Sequence, residues 1–189
     1  MKQATDLYFV AIIPGEPLKT QITGIKQEFV ETYGSKAALR SPPHITLHMP
    51  FRIKPSKVDK ITEGLSELAQ ETTPFEVCIH GFGAFPPRVI YLQIEESEPL
   101  QTMKQRMNSI SLQQWKLFDR VDTRPFHPHI TVAFRDLRKP AFQDAWATYE
   151  TKSFNAEFEA TALTLLKHNG KFWDEFITFP LTGRQETSN

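Results

Sequence analysis

The tetrapeptide Pro-His-Ile-Thr occurs twice, at Pro43–Thr46 and again at Pro128–Thr131. With 14 Pro, 6 His, 13 Ile and 18 Thr among 189 residues, about 0.003 copies are expected from composition alone. The repeat is therefore a constraint on the fold. Each copy opens a stretch that alternates with the two-residue period of a strand. In the first, Ile45, Leu47, Met49 and Phe51 share one face, while His44, Thr46, His48 and Arg52 share the other. In the second, Ile130, Val132 and Phe134 oppose His129, Thr131 and Arg135. Both strands are apolar on one side and carry a histidine and a hydroxyl on the other.

The context of the motif repeats as well. Leu7 to Ile13 is a β-rich apolar run ended by Pro14. From Pro17 to Tyr33, Leu18, Ile22, Ile25, Phe29 and Val30 recur at helical steps, and Gly34 marks the stop. After the first motif strand, Ser56 is the expected N-cap of a helix carrying Val58, Ile61, Leu65 and Leu68, followed by a strand over 75–85. The pattern then restarts: a strand over 88–95, a helix from Glu98 to about Phe118, the second motif strand over 129–135 and a short helix over 142–149. Strands over 154–166 and 172–179 follow, joined by a hairpin signal at Asn169-Gly170. The first strand and its histidine are 37 residues apart in one half (Leu7 to His44) and 41 in the other (Arg88 to His129).

This order predicts an α+β, bilobal, pseudo-two-fold fold: two antiparallel β-sheets flanking a central cleft, with helices on the outside. It is read as a single bilobal domain over residues 1–183, with halves near 1–86 and 87–183 whose elements can swap between lobes. Residues 184–189 are expected to form a frayed tail.

Composition narrows the functional classes. Lys plus Arg equals Asp plus Glu, 22 against 22, so no global field draws in long nucleic acid. The single cysteine, Cys78, excludes an intrachain disulfide and a multi-cysteine zinc site, and is expected as a small buried residue. The run from Leu7 to Ile13 is too short to span a bilayer. The expectation is a cytoplasmic monomer with no membrane and no DNA partner.

If the two motifs face a common cleft, two imidazoles flank one reacting centre. Histidine titrates near neutral pH, so one ring can accept a proton from water or a hydroxyl while the other donates one to a leaving oxygen. The threonine hydroxyls can hydrogen-bond non-bridging phosphate oxygens. The scheme needs no metal and no cofactor. A zinc reading of "FHPHIT", with His127 and His129 joined by His44 or Asp122, lacks a carboxylate inside either motif and is set aside.

At "SPPHITLHMPF" and "RPFHPHITVAFRD" the chain resembles the two-histidine (2H) phosphoesterases, in their 2'-5' RNA ligase-like or cyclic phosphodiesterase branch. The resemblance implies that His44 and His129 are the catalytic pair and that Thr46 and Thr131 orient the phosphate. It implies hydrolysis of a 2',3'-cyclic phosphate or related 2'-phosphodiester in an RNA end or small nucleotide, with His129 as base and His44 as acid. Some members join RNA ends through 2'-5' links, so end-joining is one alternative; a non-catalytic nucleotide or RNA-end binding module is another. In the ligase branch an arginine commonly sits five residues beyond the second histidine. Here that position is Phe134 and Arg135 follows, on the same strand parity as His129. The "HMPFRI" stretch also departs from the common pattern. Arg135, Arg52, Arg124, His48 and His127 are the candidate substrate contacts.

Overall fold

The computed structural model describes residues 5–116 and 125–184. Its strands are β1 (Asp6–Ile12), β2 (Ile45–Ile53), β3 (Phe75–Phe85), β4 (Val89–Ile94), β5 (His129–Ala133), β6 (Asn155–Ala160), β7 (Ala162–His168) and β8 (Trp173–Pro180). Its helices are α1 (Leu18–Tyr33), α2 (Val58–Gln70), α3 (Glu98–Ile110) and α4 (Lys139–Tyr149). α1 buries Leu18, Ile22 and Phe29 on one stripe, and Gly34 ends it in the left-handed region at φ 71°, where only a residue without Cβ is unstrained.

The strands form one antiparallel sheet in the order β6-β3-β4-β5-β2-β1-β7-β8, curled into a half-barrel. This corrects the expectation of two separate sheets. The halves β6-β3-β4-β5 and β2-β1-β7-β8 exist, but they are joined through a single residue pair, Ile45 with Ile130. The two motif strands are thus each other's neighbours, and their pairing removes two edges that separate sheets would leave open.

The halves of the chain interleave. β3, from the first half, lies in the β5 side of the sheet, while β7 and β8, from the second half, lie beside β1. α1 packs on β5 and α3 on β2, so each helix supports the strand of the other half. Ile45, Leu47, Ile130 and Val132 join the helix stripes in one buried core. On the opposite, open face, Phe9, Ala11 and Leu166 form a small second cluster with Ile13 and Trp173 packed against it.

Several local expectations change for identifiable reasons. The predicted strand over 154–166 is two strands, because β6 pairs with β3 and β7 with β1, on opposite halves of the sheet. Ser56 caps nothing: Pro55 to Lys57 form a short 3-10 turn and α2 begins at Val58. α3 ends at Ile110 and continues as a wider turn over Ser111–Trp115, closed by Lys116 at φ 53°; the rest of the predicted helix lies outside the described residues. Arg184, assigned to the tail, donates its backbone N–H to Gln70 O at 2.7 Å, and residues 185–189 lie outside the described residues. No helix among the described residues is long and apolar enough to cross a membrane.

Candidate active site

β5 begins at His129, and His44 immediately precedes β2. Ile45 and Ile130 point into the helix-side core and are fully buried, so alternation turns His44, Thr46, His129 and Thr131 to the open face. Thr46 pairs across the strands with Ala11 of the open-face cluster, and Thr131 with Tyr91. Counting outward from the antiparallel Ile45–Ile130 pair sets each histidine opposite the other motif's threonine. The histidine Cα atoms then lie on a diagonal of about 7–8 Å in ideal sheet geometry.

The two imidazoles are held in the same way. Nδ1 of His44 lies 2.7 Å from Pro42 O, and Nδ1 of His129 lies 2.7 Å from His127 O. A carbonyl can only accept, so in both rings Nδ1 carries the hydrogen and donates it. Nε2 is left, in the neutral ring, with an unshared pair. Each ring also rests on an aromatic side chain from the neighbouring strand: Phe9 against His44 at 4.8 Å between centroids, and Tyr91 against His129 at 5.0 Å. Trp173 packs edge-on against Phe9, and Phe85 packs edge-on against His129 and tilted against Tyr91. The pseudo-symmetry seen in the sequence therefore extends to the supports of the rings.

Electrostatics break that symmetry. Burial pushes His44 down to about 4; the bond to Pro42 O opposes this, while Lys26 and His129 add to it. Burial also lowers His129, with the carbonyl of His127 opposing. Burial favours the neutral form of both rings in the free protein, including His44, which the resemblance implies as the acid. An anionic phosphate between the rings favours the imidazolium form of either. Lys26 is itself only 1% exposed, donates to Ala38 O and Ser41 O, and is pushed by burial down to about 7. It anchors the segment that presents the Pro42 carbonyl. Asp136, just after the second motif strand, holds the same region from the other half by accepting from the Ser35 hydroxyl and from the N–H groups of Lys36 and Ala37.

The flanks of the site differ in charge. Beside His129, a cavity of about 440 Å³ is lined by His80, Tyr91, Gln93, Glu95, Glu96 and His127. Beside the segment that carries His44, a cavity of about 220 Å³ is lined by residues including Lys26, Arg40, Phe172 and Trp173. Among the described residues, the donor groups compact enough for a metal are Cys78–His80–Glu95 and Glu76–Cys78–Glu157; neither contains a motif histidine. Cys78 is half-buried beside Glu76, not the small core residue expected.

Four of the five candidate substrate contacts fall among the described residues, and the structure moves each of them. His48 does not share the open face. Register shifts between β1 and β2 turn it to the helix side, where it is 5% exposed, 2.7 Å from the Ser111 hydroxyl and packed on Phe51 and Trp115. Arg52 stands eight positions beyond His44 on the same strand, about 27 Å away at ordinary strand rise, too far to reach a phosphate held there. β5 ends at Ala133, so the parity argument for Arg135 lapses. Arg135 is exposed in the left-handed region at φ 61°, with its guanidinium 5.2 Å from the Phe134 ring centroid. His127 contributes its backbone carbonyl to His129, while its exposed side chain lies 3.7 Å from Glu96. Arg124 and Asp122 lie outside the described residues. Sequence reasoning missed Phe9, Tyr91, Lys26 and Asp136, which reach the motif residues only through strand pairing and packing.

Comparison with known proteins gives the family and the fold. The family described as the 2'-5' RNA ligase superfamily matches residues 14–172. Curated relatives carry the name "putative phosphoesterase". One, from Oceanobacillus iheyensis, is 28% identical over 92% of this chain and 97% of its own; another, from a Geobacillus strain, is 29% identical over 95% and 98%. Among solved structures, Escherichia coli LigT bound to 3'-AMP superposes with a TM-score of 0.72 at 20% identity, covering 95% of this chain and 99% of its own. A protein from Thermus thermophilus superposes at 0.69 with 21% identity, covering 95% and 100%. These structural likenesses establish a shared fold.

Proposed function

Since this chain belongs to the 2'-5' RNA ligase superfamily, we propose that it is a phosphoesterase that opens a 2',3'-cyclic phosphate or related 2'-phosphodiester by two-histidine acid–base catalysis. The observation that carries this reading is the matched pair of rings on adjoining strands, each with Nδ1–H given to the carbonyl two residues upstream, which leaves Nε2 of each for the substrate. A phosphodiester seated between them meets one Nε2 on the side of the attacking water and the other on the side of the leaving oxygen. One ring accepts the water proton as the P–O bond forms; the other, protonated in the field of the bound phosphate, gives its proton to the departing ribose oxygen. Thr46 and Thr131 donate to the non-bridging oxygens, where charge accumulates. The relatives' phosphoesterase names and the nucleotide complexes of LigT support a nucleotide or RNA-end substrate.

The test is incubation with nucleoside 2',3'-cyclic phosphates in the presence of a chelator, resolving 2'- from 3'-phosphate products. One regioisomer formed at undiminished rate with chelator is the expected result. Binding of the nucleotide without turnover by the wild-type protein would instead favour a binding module.

A further inference from the structure

At the far end of β2, Arg52, Lys54, Lys57, Lys60 and Lys116 line a groove of about 550 Å³ together with Ile53, Ile61 and the largely buried Trp115; among the described residues, no acidic side chain lines it. The concentration is notable in a chain of zero net charge. Outside the groove, Lys19, Arg106, Lys152 and Lys167 are paired with Glu175, Glu71, Glu28 and Asp6. None of the five groove cations pairs with a described acidic residue. Like charges brought together on one concavity repel, and a bound polyanion relieves that repulsion.

We propose that this groove binds the phosphate backbone of single-stranded RNA whose end occupies the two-histidine site, so that the preferred substrate is an oligonucleotide and not a mononucleotide. The inference rests on the hydrolytic reading above for the identity of the end. Arg52 and His44 belong to the same β2 run; the groove's Ile61 and Trp115 belong to the helix-side core, so a strand that also reaches the open face passes round the end of β2. A separation of about 27 Å along the strand exceeds the reach of one nucleotide, so both sites are occupied together only by several linked ones. A charged groove suits a flexible strand, which lays its phosphates on the cations. A concave groove suits a strand better than a flat bilayer.

The test uses an RNA of about 12 nucleotides ending in a 3'-hydroxyl, which has nothing for the site to hydrolyse. Its affinity is measured by fluorescence anisotropy between about 50 and 200 mM KCl for wild type and for Lys54→Gln/Lys57→Gln/Lys60→Gln. These side chains are exposed, and an unchanged melting temperature verifies the fold. Each lost phosphate contact lowers the slope of log K against log salt by about 0.7, so the triple variant should lose about 2 from the slope and bind at least about tenfold more weakly at the lowest salt. Its turnover of a nucleoside 2',3'-cyclic phosphate should match wild type, while kcat/KM for the same RNA ending in a cyclic phosphate should fall at least about tenfold. Unchanged slope and affinity would overturn the proposal. So would groove-dependent binding to vesicles containing phosphatidylserine with none to RNA. Absence of cyclic-phosphate turnover with the RNA-binding difference intact would instead refute the hydrolytic reading and leave the groove standing.

Discussion

Replacing Lys26 by methionine should abolish a specific rise of stability with pH. Lys26 is 1% exposed, and burial lowers its pKa from 10.5 to about 7. The unfolded chain takes up this proton below pH 10.5, whereas the folded chain takes it up only below about 7. Between those limits the unfolded state binds more protons, so wild-type stability increases with pH by up to about 1.4 kcal/mol per pH unit. Over the whole window the gain approaches about 5 kcal/mol, and between about pH 7 and 9.5 it is about 3 kcal/mol. Below about pH 7 both states are protonated and the full destabilisation is present. Methionine has no proton to take up, but it leaves the carbonyls of Ala38 and Ser41 without the Lys26 hydrogen bonds. That loss costs about 1–3 kcal/mol per carbonyl, as an offset that does not depend on pH. The two effects separate cleanly: urea unfolding of both proteins at intervals from about pH 6.5 to 9.5 should give curves that diverge by about 3 kcal/mol across the window, with wild type gaining. Parallel curves would refute the argument that Lys26 is held in a low-dielectric site. Because Lys26 also lowers His44 electrostatically, whichever limb of the pH–rate profile His44 sets should move to higher pH in the variant.

The remaining predictions address the site and its supports. Thr46→Val and Thr131→Val should each lower kcat/KM by about 10- to 100-fold, as expected for one hydrogen bond to a charged oxygen at about 1.5–3 kcal/mol, with little change in melting temperature. Gly83→Ala would place Cβ 2.4–2.7 Å from Tyr91 ring and hydroxyl atoms. It should displace the ring that supports His129, lowering stability by about 1–3 kcal/mol in denaturant unfolding and reducing turnover as well. His48→Ala should destabilise by about 1–3 kcal/mol through the orphaned Ser111 hydroxyl, yet leave kcat per folded molecule unchanged, because His48 faces the helices and not the open face.

The motif strands were legible because their information is local. Alternation across Ile45 and Ile130 assigned faces to His44, Thr46, His129 and Thr131 without knowledge of any partner strand. The same rule failed at His48 and Arg135, where register shifts and the end of β5 at Ala133 reset the parity. Nothing in a period-two pattern reports a bulge. The duplication predicted two lobes but could not show that their motif strands adjoin, since pairing of Ile45 with Ile130 joins residues 85 positions apart. Phe9 and Tyr91 looked like ordinary strand aromatics, and Lys26 occupied a buried position on a helix stripe otherwise made of Leu18, Ile22 and Phe29. Their roles arise only from tertiary packing.

Turnover of a nucleoside 2',3'-cyclic phosphate by His44→Ala, His129→Ala and the double variant tests most directly whether the two rings act on one phosphorus. Each single change should reduce kcat by about 10²–10⁴-fold with the fold intact, and the double variant should be scarcely slower than the slower single, since an acid and a base that serve the same step are not additive. Near wild-type turnover in either single variant, or reductions that multiply in the double, would contradict it.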